Sequence, residues 1–485
     1  MRIIKTDVAV FGSGPAGIGA ALAAARGGAK TMLIEKMGAL GGQMTSGLVT
    51  GLHGYRVHQK NANAKGSSDV YLAMDHKTKQ VVGGIPEEIF ERLKQKGGAY
   101  TSGEGPAMRQ EFDPEILNIL LFELVTEAGI QLMLDSFAFG TVMEGETIKA
   151  VRVANKNGEE QIEAKQFIDA TADGDIGAWA GAPFEIGRDK DHRCETITLY
   201  FKVGDVDLHK MLDYLDANPE DNHIGTPEGW RKVLDNKNGP LHVNGLRNLV
   251  RKAYENGDYI TPIGALYEIP SPIFIISHSC YPSDQTAILV DMAYNINAAD
   301  ADDLTKAEIH ARMVQTPMVL KFLRKYLPGF ENCYLMQTAS LLGTRESRRI
   351  MGDYLLTEDD VVSNKKFPDV VARCGRAMNV HSVTGGKDNE LRGGQTWIEP
   401  ENPQGYDIPI GCLIPKKVHN LFVSGRCISV THFALGSVRG IPVCMATGEA
   451  AGTAAAQCIK DSVLPRKLDI KKLQNTLRAN KVILE

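Results

Sequence analysis

The sequence predicts an α/β fold: a parallel sheet flanked by helices, with a small antiparallel β-layer and an inserted α+β region. Three observations predict it. A buried-strand pattern at Thr6–Phe11 runs into Gly12-Ser-Gly-Pro-Ala-Gly17, an Ala-rich helix and a second strand at Thr31–Glu35. That order is a βαβ start closed within about 30 residues. At the other end a strand at Leu421–Ser424 precedes a helix rich in Ala and Gly at Pro442–Ile459. Finally, 485 residues at 43% hydrophobic and 23% charged describe an ordinary globular chain of two or three folding units, and 12 of its 49 glycines crowd into residues 1–54.

Within the start, Gly27-Gly28 can end the Ala-rich helix. Residues 38–83 lack periodicity and read as a long loop, with an exposed polar stretch at Gln59–Ser68 where function can reside. Helical patterns follow at 86–96 and 114–128, the second headed by Asp113-Pro114, a fitting cap and first-position pair. Strand-like segments at 130–134, 137–143, 147–154 and 160–170 read as an antiparallel layer that returns to the parallel sheet at Phe167–Thr171. Strands near 195–203, 272–280 and 285–291 and a long helix near 304–326 mark a different region. The expected organisation is one domain made of 1–183 and 381–485, with a substrate domain, 184–380, inserted into it. The Lys- and Arg-rich end from Lys460 reads as a solvated terminal helix.

A formal charge of −5 supplies no basic footprint for nucleic acid or an anionic membrane. The uncharged stretch Val8–Ala25 is broken by Gly12-Ser-Gly-Pro15 and falls short of the ~20 apolar residues that span a bilayer. The N-terminus runs straight into a strand rather than a secretory apolar region, so a cytoplasmic location is expected. The 8 cysteines (194, 280, 333, 374, 412, 427, 444, 458) form no Cys-x-x-Cys pair and read as reduced, mostly buried thiols. No His-Asp-Glu spacing suggests a metal site.

The glycines of Gly12-x-Gly14-x-x-Gly17 have mechanical roles: a tight strand-to-helix turn, close approach of backbone to a pyrophosphate, and close packing of helix on strand. Amides at the helix start have no intrahelical partner, and the helix dipole favours the phosphates there. Glu35, at the end of the second strand, is placed to accept hydrogen bonds from a ribose diol. The motif predicts a dinucleotide and does not by itself choose FAD over NAD.

Three segments carry a resemblance that makes the choice. Glu35-Lys-Met-Gly-Ala-Leu-Gly41-Gly42-Gln43 is similar to the acid and Gly-Gly doublet that FAD-dependent oxidoreductases of the glutathione-reductase-like and fumarate-reductase-like class place along the FAD. Ile168-Asp-Ala-Thr-Ala-Asp-Gly-Asp175 looks like their return segment, with Ala172 where Gly is usual. Leu421-Phe-Val-Ser-Gly425-Arg426 through His432, Gly436, Arg439 and Pro442 to Gly452 resembles the C-terminal flavin segment of a mostly uncharacterised bacterial FAD-dependent oxidoreductase family. The resemblance implies FAD held by Gly12, Ser13, Gly14, Pro15, Ala16, Gly17, Glu35, Lys36, Gly41, Gly42, Gln43, Ala170, Thr171, Gly425 and Arg426. It also implies a late helix whose N-terminus faces the flavin pyrimidine, where reduction builds negative charge. No second GxGxxG unit, Cys-x-x-Cys pair or iron–sulfur spacing is present, and the His-Thr pair of related covalent flavoproteins is missing. Noncovalent FAD without a dedicated NAD(P)H domain is therefore expected.

His432 is the leading candidate for proton transfer, because an imidazole titrates near neutrality. Arg439 could meet a substrate anion or the reduced flavin, with Arg345 a further candidate. Alternation along a strand would put Arg345 and Arg349 on one face and Arg348 on the other, with Glu346 and Asp353 available for a salt-bridge network. His278 and His381 are lesser candidates. The expected activity is hydride transfer between a small organic substrate and FAD. The alternatives are reduction of an activated C=C bond fed by an external donor, and a non-catalytic flavin-binding module. Expected partners are a small molecule and an external electron donor or acceptor, with self-association compatible and neither nucleic acid nor membrane involved.

Overall fold

The computed structural model describes all residues except 53, 58–78, 103–108, 222–230, 233, 236–240, 266–272, 278–283, 386–396 and 399–403. The polar stretch Gln59–Ser68, His278 and Cys280 lie outside the described residues.

The first half runs in the order β1 (Arg2–Phe11), α1 (Pro15–Arg26), β2 (Thr31–Ile34), α2 (Ile85–Gln95), α3 (Pro114–Glu127), β3 (Gln131–Met133), β4 (Phe137–Glu144), β5 (Thr147–Asn155) and β6 (Gly158–Asp169). Only the last residues of β1, Val8–Phe11, form a continuous buried run, as expected of a parallel strand covered on both faces. In register, Val10 pairs Leu33 of β2 on one side and Ile168 of β6 on the other, both in parallel. The carboxyl ends of β1 and β6 therefore emerge side by side, where Gly12 follows one and Ala170 the other. Open α/β sheets bind their ligands at such edges.

β3 corrects the expected antiparallel layer: it pairs β2 in parallel and extends the main sheet, so only β4 and β5 form the antiparallel extension. The reason lies in α3, which connects across from β2 and delivers β3 in the same direction.

A second, 5-stranded antiparallel sheet follows, with β7 (Ile197–Gly204), β8 (Leu241–Gly245), β9 (Ile273–Ser277), β10 (Gln285–Ala293) and β11 (Tyr334–Thr338) in the order β8-β9-β10-β7-β11. The expected 304–326 helix is α4 (Ala301–His310) and α5 (Thr316–Tyr326) joined by a π-helical turn at Ala311–Gln315. Pro317, in the first turn of α5, has no N–H for the regular ladder, which accounts for the break. Arg345 does not share a strand with Arg349: the strand covers Arg348–Ile350 alone, paired with Phe184–Ile186.

The chain returns through β12 (Leu421–Val423), which lies parallel to the last residues of β6, then α6 (His432–Val438), α7 (Ile441–Asp461) and α8 (Ile470–Ala479). α8 is not fully solvated, since Leu473, Gln474 and Leu477 are buried. α7 crosses α1 at backbone contact: a Cβ on Gly448 would stand 2.0 Å from the Ala16 carbonyl oxygen, and one on Gly452 2.1 Å from that of Ala20. Only glycine permits that approach.

Buried side chains separate into two hydrophobic cores. One joins residues 8–182 with 350–484, and the other gathers 197–342 together with Leu48. Among the described residues no helix is long and apolar enough to cross a membrane.

Candidate active site

At the end of β1, Gly12 has φ +93°, and a Cβ on Gly17 would lie 1.7 Å from the Gly12 carbonyl oxygen. The turn therefore closes only with glycine at both positions. Gly14 caps α1 without offering a side-chain acceptor, and a Cβ there would meet nothing within 4 Å. Its backbone faces an open cleft of about 260 Å³ that runs between the two cores.

That cleft brings together ten of the expected cofactor residues: Gly12, Gly14, Pro15, Glu35, Lys36, Gly42, Gln43, Ala170, Thr171 and Arg426. Ser13, Ala16, Gly17, Gly41 and Gly425 are not among its lining residues. Ser13 donates from its backbone N (2.7 Å) and its hydroxyl (2.8 Å) to Glu35 Oε2, and the Met37 amide donates to Oε1 at 3.0 Å. Oε2 is filled by its two donors while Oε1, with one, keeps a free lone pair, so Glu35 braces the glycine loop and can still receive a ribose hydroxyl. An open helix start, a glycine edge and an acid at the cleft fit a dinucleotide.

Across the cleft, Asp169 is buried and accepts from the Thr171 amide, the Thr171 hydroxyl and the Gly177 amide. Burial raises its pKa. Ala172 has φ +69°, so the usual glycine's left-handed backbone is kept by an alanine. Arg426 bonds Asp173 at 2.6 Å and the Ser347 hydroxyl at 2.7 Å. Asp175 is paired with Arg348 at 2.7 Å, and burial, with Asp173 and Asp169 nearby, pushes it up to about 6. Asp173 and Asp175 line the cleft without having been singled out; their place in the return segment was the available signal.

His432 opens α6, where the Thr431 hydroxyl caps the helix. Its ring is buried at 2% exposure, its Nδ1 lies 2.9 Å from both Glu346 oxygens, and its Nε2 has no partner. Glu346 also pairs with Arg349, whose guanidinium donates to the Val430 and Gly187 carbonyls. Asp353 is outside this network and pairs with Arg466. The Glu195 amide donates to Glu346 Oε2 at 3.1 Å, and Glu195 Oε2 in turn accepts from Arg439 at 3.0 Å and from the His381 amide at 2.8 Å. Burial and the neighbouring Arg345, Arg439 and Arg376 hold the His381 ring neutral. Arg345 pairs with Asp291 at 3.0 Å and donates to the Thr196 carbonyl at 2.7 Å. Glu195 and Arg376 were missed because no local motif surrounds them.

Comparison with known proteins places this architecture. The chain is 25% identical over 269 residues to the digeranylgeranylglycerophospholipid reductase of Methanosarcina acetivorans, covering 52% of this chain and 61% of that one. It is 28% identical over 176 residues to the enzyme of the same name from Thermoplasma acidophilum, 36% and 41% of the two chains. The chain thus spans between about two fifths and three fifths of these relatives. Among solved structures, a geranylgeranyl bacteriochlorophyll reductase-like protein from Thermoplasma acidophilum aligns at TM-score 0.43 and 12% identity over 98% of this chain and 84% of that one. A flavoprotein/dehydrogenase from Cytophaga hutchinsonii aligns at TM-score 0.44 and 11% identity over the same shares. The model of the FAD dependent oxidoreductase family matches residues 7–477. The chain is a member of that family, an FAD-dependent oxidoreductase with FAD as its cofactor.

Proposed function

We propose that the enzyme transfers a hydride between a small organic substrate and noncovalently held FAD, with His432 handling the accompanying proton. Bound FAD supplies the two-electron exchange. The observation that carries the reading is His432 itself, with Nδ1 tied to Glu346 and Nε2 buried without a partner. A buried polar atom left unpaired costs about 1–3 kcal/mol, so a group from a bound molecule belongs opposite Nε2. With Nδ1–H donating to the carboxylate, Nε2 carries the lone pair and can accept a proton, and the resulting imidazolium is stabilised by Glu346.

The cleft residues named above are the proposed cofactor contacts, with Gly14 at the pyrophosphate and Glu35 at the ribose. The two hydrophobic cores support an FAD-binding domain interrupted by a substrate domain, with the first boundary near the expected 183 and the second between 342 and 350, ahead of the expected 380. The seven described cysteines are buried free thiols, which supports a reducing, cytoplasmic setting.

A second reading, reduction of an activated C=C bond with electrons from an external donor, is favoured by the relatives' naming as reductases. An anaerobic screen separates the two. Bleaching of the flavin's visible band by saturated metabolites supports a dehydrogenase, whereas reoxidation of prereduced enzyme by enoates supports a reductase. A flavin that responds to neither overturns both.

A further inference from the structure

The described residues contain one buried arginine whose charge has no counterpart. Arg376 is 9% exposed, and its guanidinium makes neither a hydrogen bond nor an ion pair with any described residue. Its backbone is held, since the Ser437 hydroxyl donates to its carbonyl at 2.5 Å and its amide donates to Cys374 Sγ at 3.4 Å. Arg439 is close by: Ser437, two residues before it, holds the Arg376 carbonyl, and Arg439 itself donates to the Asn379 carbonyl, three residues after Arg376. Burial, with Arg376 and Arg345 nearby, brings the pKa of Arg439 down to about 10.

Charge pairing in this cluster leaves Arg376 out. Arg439 is answered by Glu195 and Arg345 by Asp291, while Arg349 meets both Glu185 and Glu346, the latter shared with His432. Among the described residues no carboxylate pairs with Arg376. Unused hydrogen-bonding atoms lie in the same network: Arg439 Nε, Glu195 Oε1 and His432 Nε2 are all buried without partners. His381 adds no charge, being held neutral.

We infer that Arg376 and Arg439 form a binding pocket for the carboxylate of the substrate, which makes the substrate class small organic acids. The planar fork of a guanidinium matches a carboxylate in two parallel hydrogen bonds. Through Glu195 and Glu346 the pocket is joined to His432, so a substrate anchored by its carboxylate would present its reacting carbon beside Nε2. This inference rests on the role proposed for His432. A planar, delocalised anion could also come from the reduced flavin. A Cβ on Gly54 would lie 3.3 Å from both Arg376 Cβ and Val443 Cγ2, so Arg376 borders the first turn of α7.

The test titrates oxidised holoenzyme with acetate, succinate and fumarate against chloride at matched ionic strength, following the flavin difference spectrum and thermal stability. Saturable binding is expected, weakened at least about tenfold in Arg376→Gln and partly restored in Arg376→Lys, with the FAD reduction potential unchanged. Absence of saturable binding, or equal binding in Arg376→Gln, overturns the inference. So does a shifted potential in Arg376→Gln with carboxylate binding intact, which assigns the charge to the flavin. If Arg376→Gln does not fold, Arg376→Lys with altered affinity for the three acids decides. Carboxylate binding to an enzyme whose flavin no substrate bleaches would leave the pocket standing and remove the proposed function; bleaching without carboxylate binding would do the reverse.

Discussion

Two buried carboxylates, Glu35 and Glu195, are solved in opposite ways. Glu35 accepts three protein donors, all from residues within its own βαβ unit. Glu195 receives the His381 amide and Arg439 from residues nearly two hundred positions away and more, and its Oε1 is left unpaired. A site whose polar atoms are satisfied before any ligand arrives holds a frame. A site that keeps orphan atoms is completed by what it binds. The cofactor loop belongs to the first kind, and the region around His432, Arg439 and Arg376 to the second.

The sharpest way to break the framed side is Gly17→Val. The added side chain must displace the Gly12 carbonyl, so the turn is expected to lose about 3 kcal/mol or more and the protein to purify without flavin. A yellow, stable variant would remove the close-packing argument. On the open side, His432→Asn should leave FAD absorbance intact while lowering turnover by about 10²–10³-fold. Glu346→Gln, which keeps the ring in place, should alter the pH profile more than the affinity for substrate. Unchanged turnover in His432→Asn would return the histidine to a structural role.

A smaller effect is expected for Glu35→Ala, roughly 1–3 kcal/mol weaker FAD retention measured by equilibrium dialysis. It should come with looser folding of the loop, because Ser13 loses its acceptor.

Glu449 lies between the two cases: it is buried in α7 with a single donor, the Ile85 amide at 2.9 Å, and burial lifts its pKa to about 8. Unfolded, it ionises near 4.3. The native state keeps a proton that the unfolded chain releases, so this residue's contribution is complete below about pH 4, falls as pH rises, and levels off above about pH 8. Glu449→Gln keeps an acceptor without the charge and should flatten that slope, gaining about 1 kcal/mol at pH 8 by denaturant titration. Equal slopes in both proteins would show the carboxyl ionised in the fold.

The parts that were legible in the sequence were local. The strand, glycine turn, helix and acid from Thr6 to Glu35 lie within one βαβ unit, where each residue's neighbours in space are its neighbours in sequence. β3 was misassigned because three residues carry almost no periodicity and the sheet partner alone sets their direction. Arg345 was placed on a strand by alternation, yet its position is set by Asp291 and Thr196, more than fifty residues away. His432 was picked for its chemistry, while the carboxylate that orients it came from Glu346.

By itself the sequence determined a dinucleotide fold and, through three segments, the FAD family, because phosphate turns and close helix crossings demand glycine at set spacings. Tertiary structure alone decided which charges meet. Glu195, Glu346, Arg376, Arg439 and His432 come from four separate stretches of chain, and whether a buried charge is paired depends on its neighbours in space. Residue spacing records nothing of that.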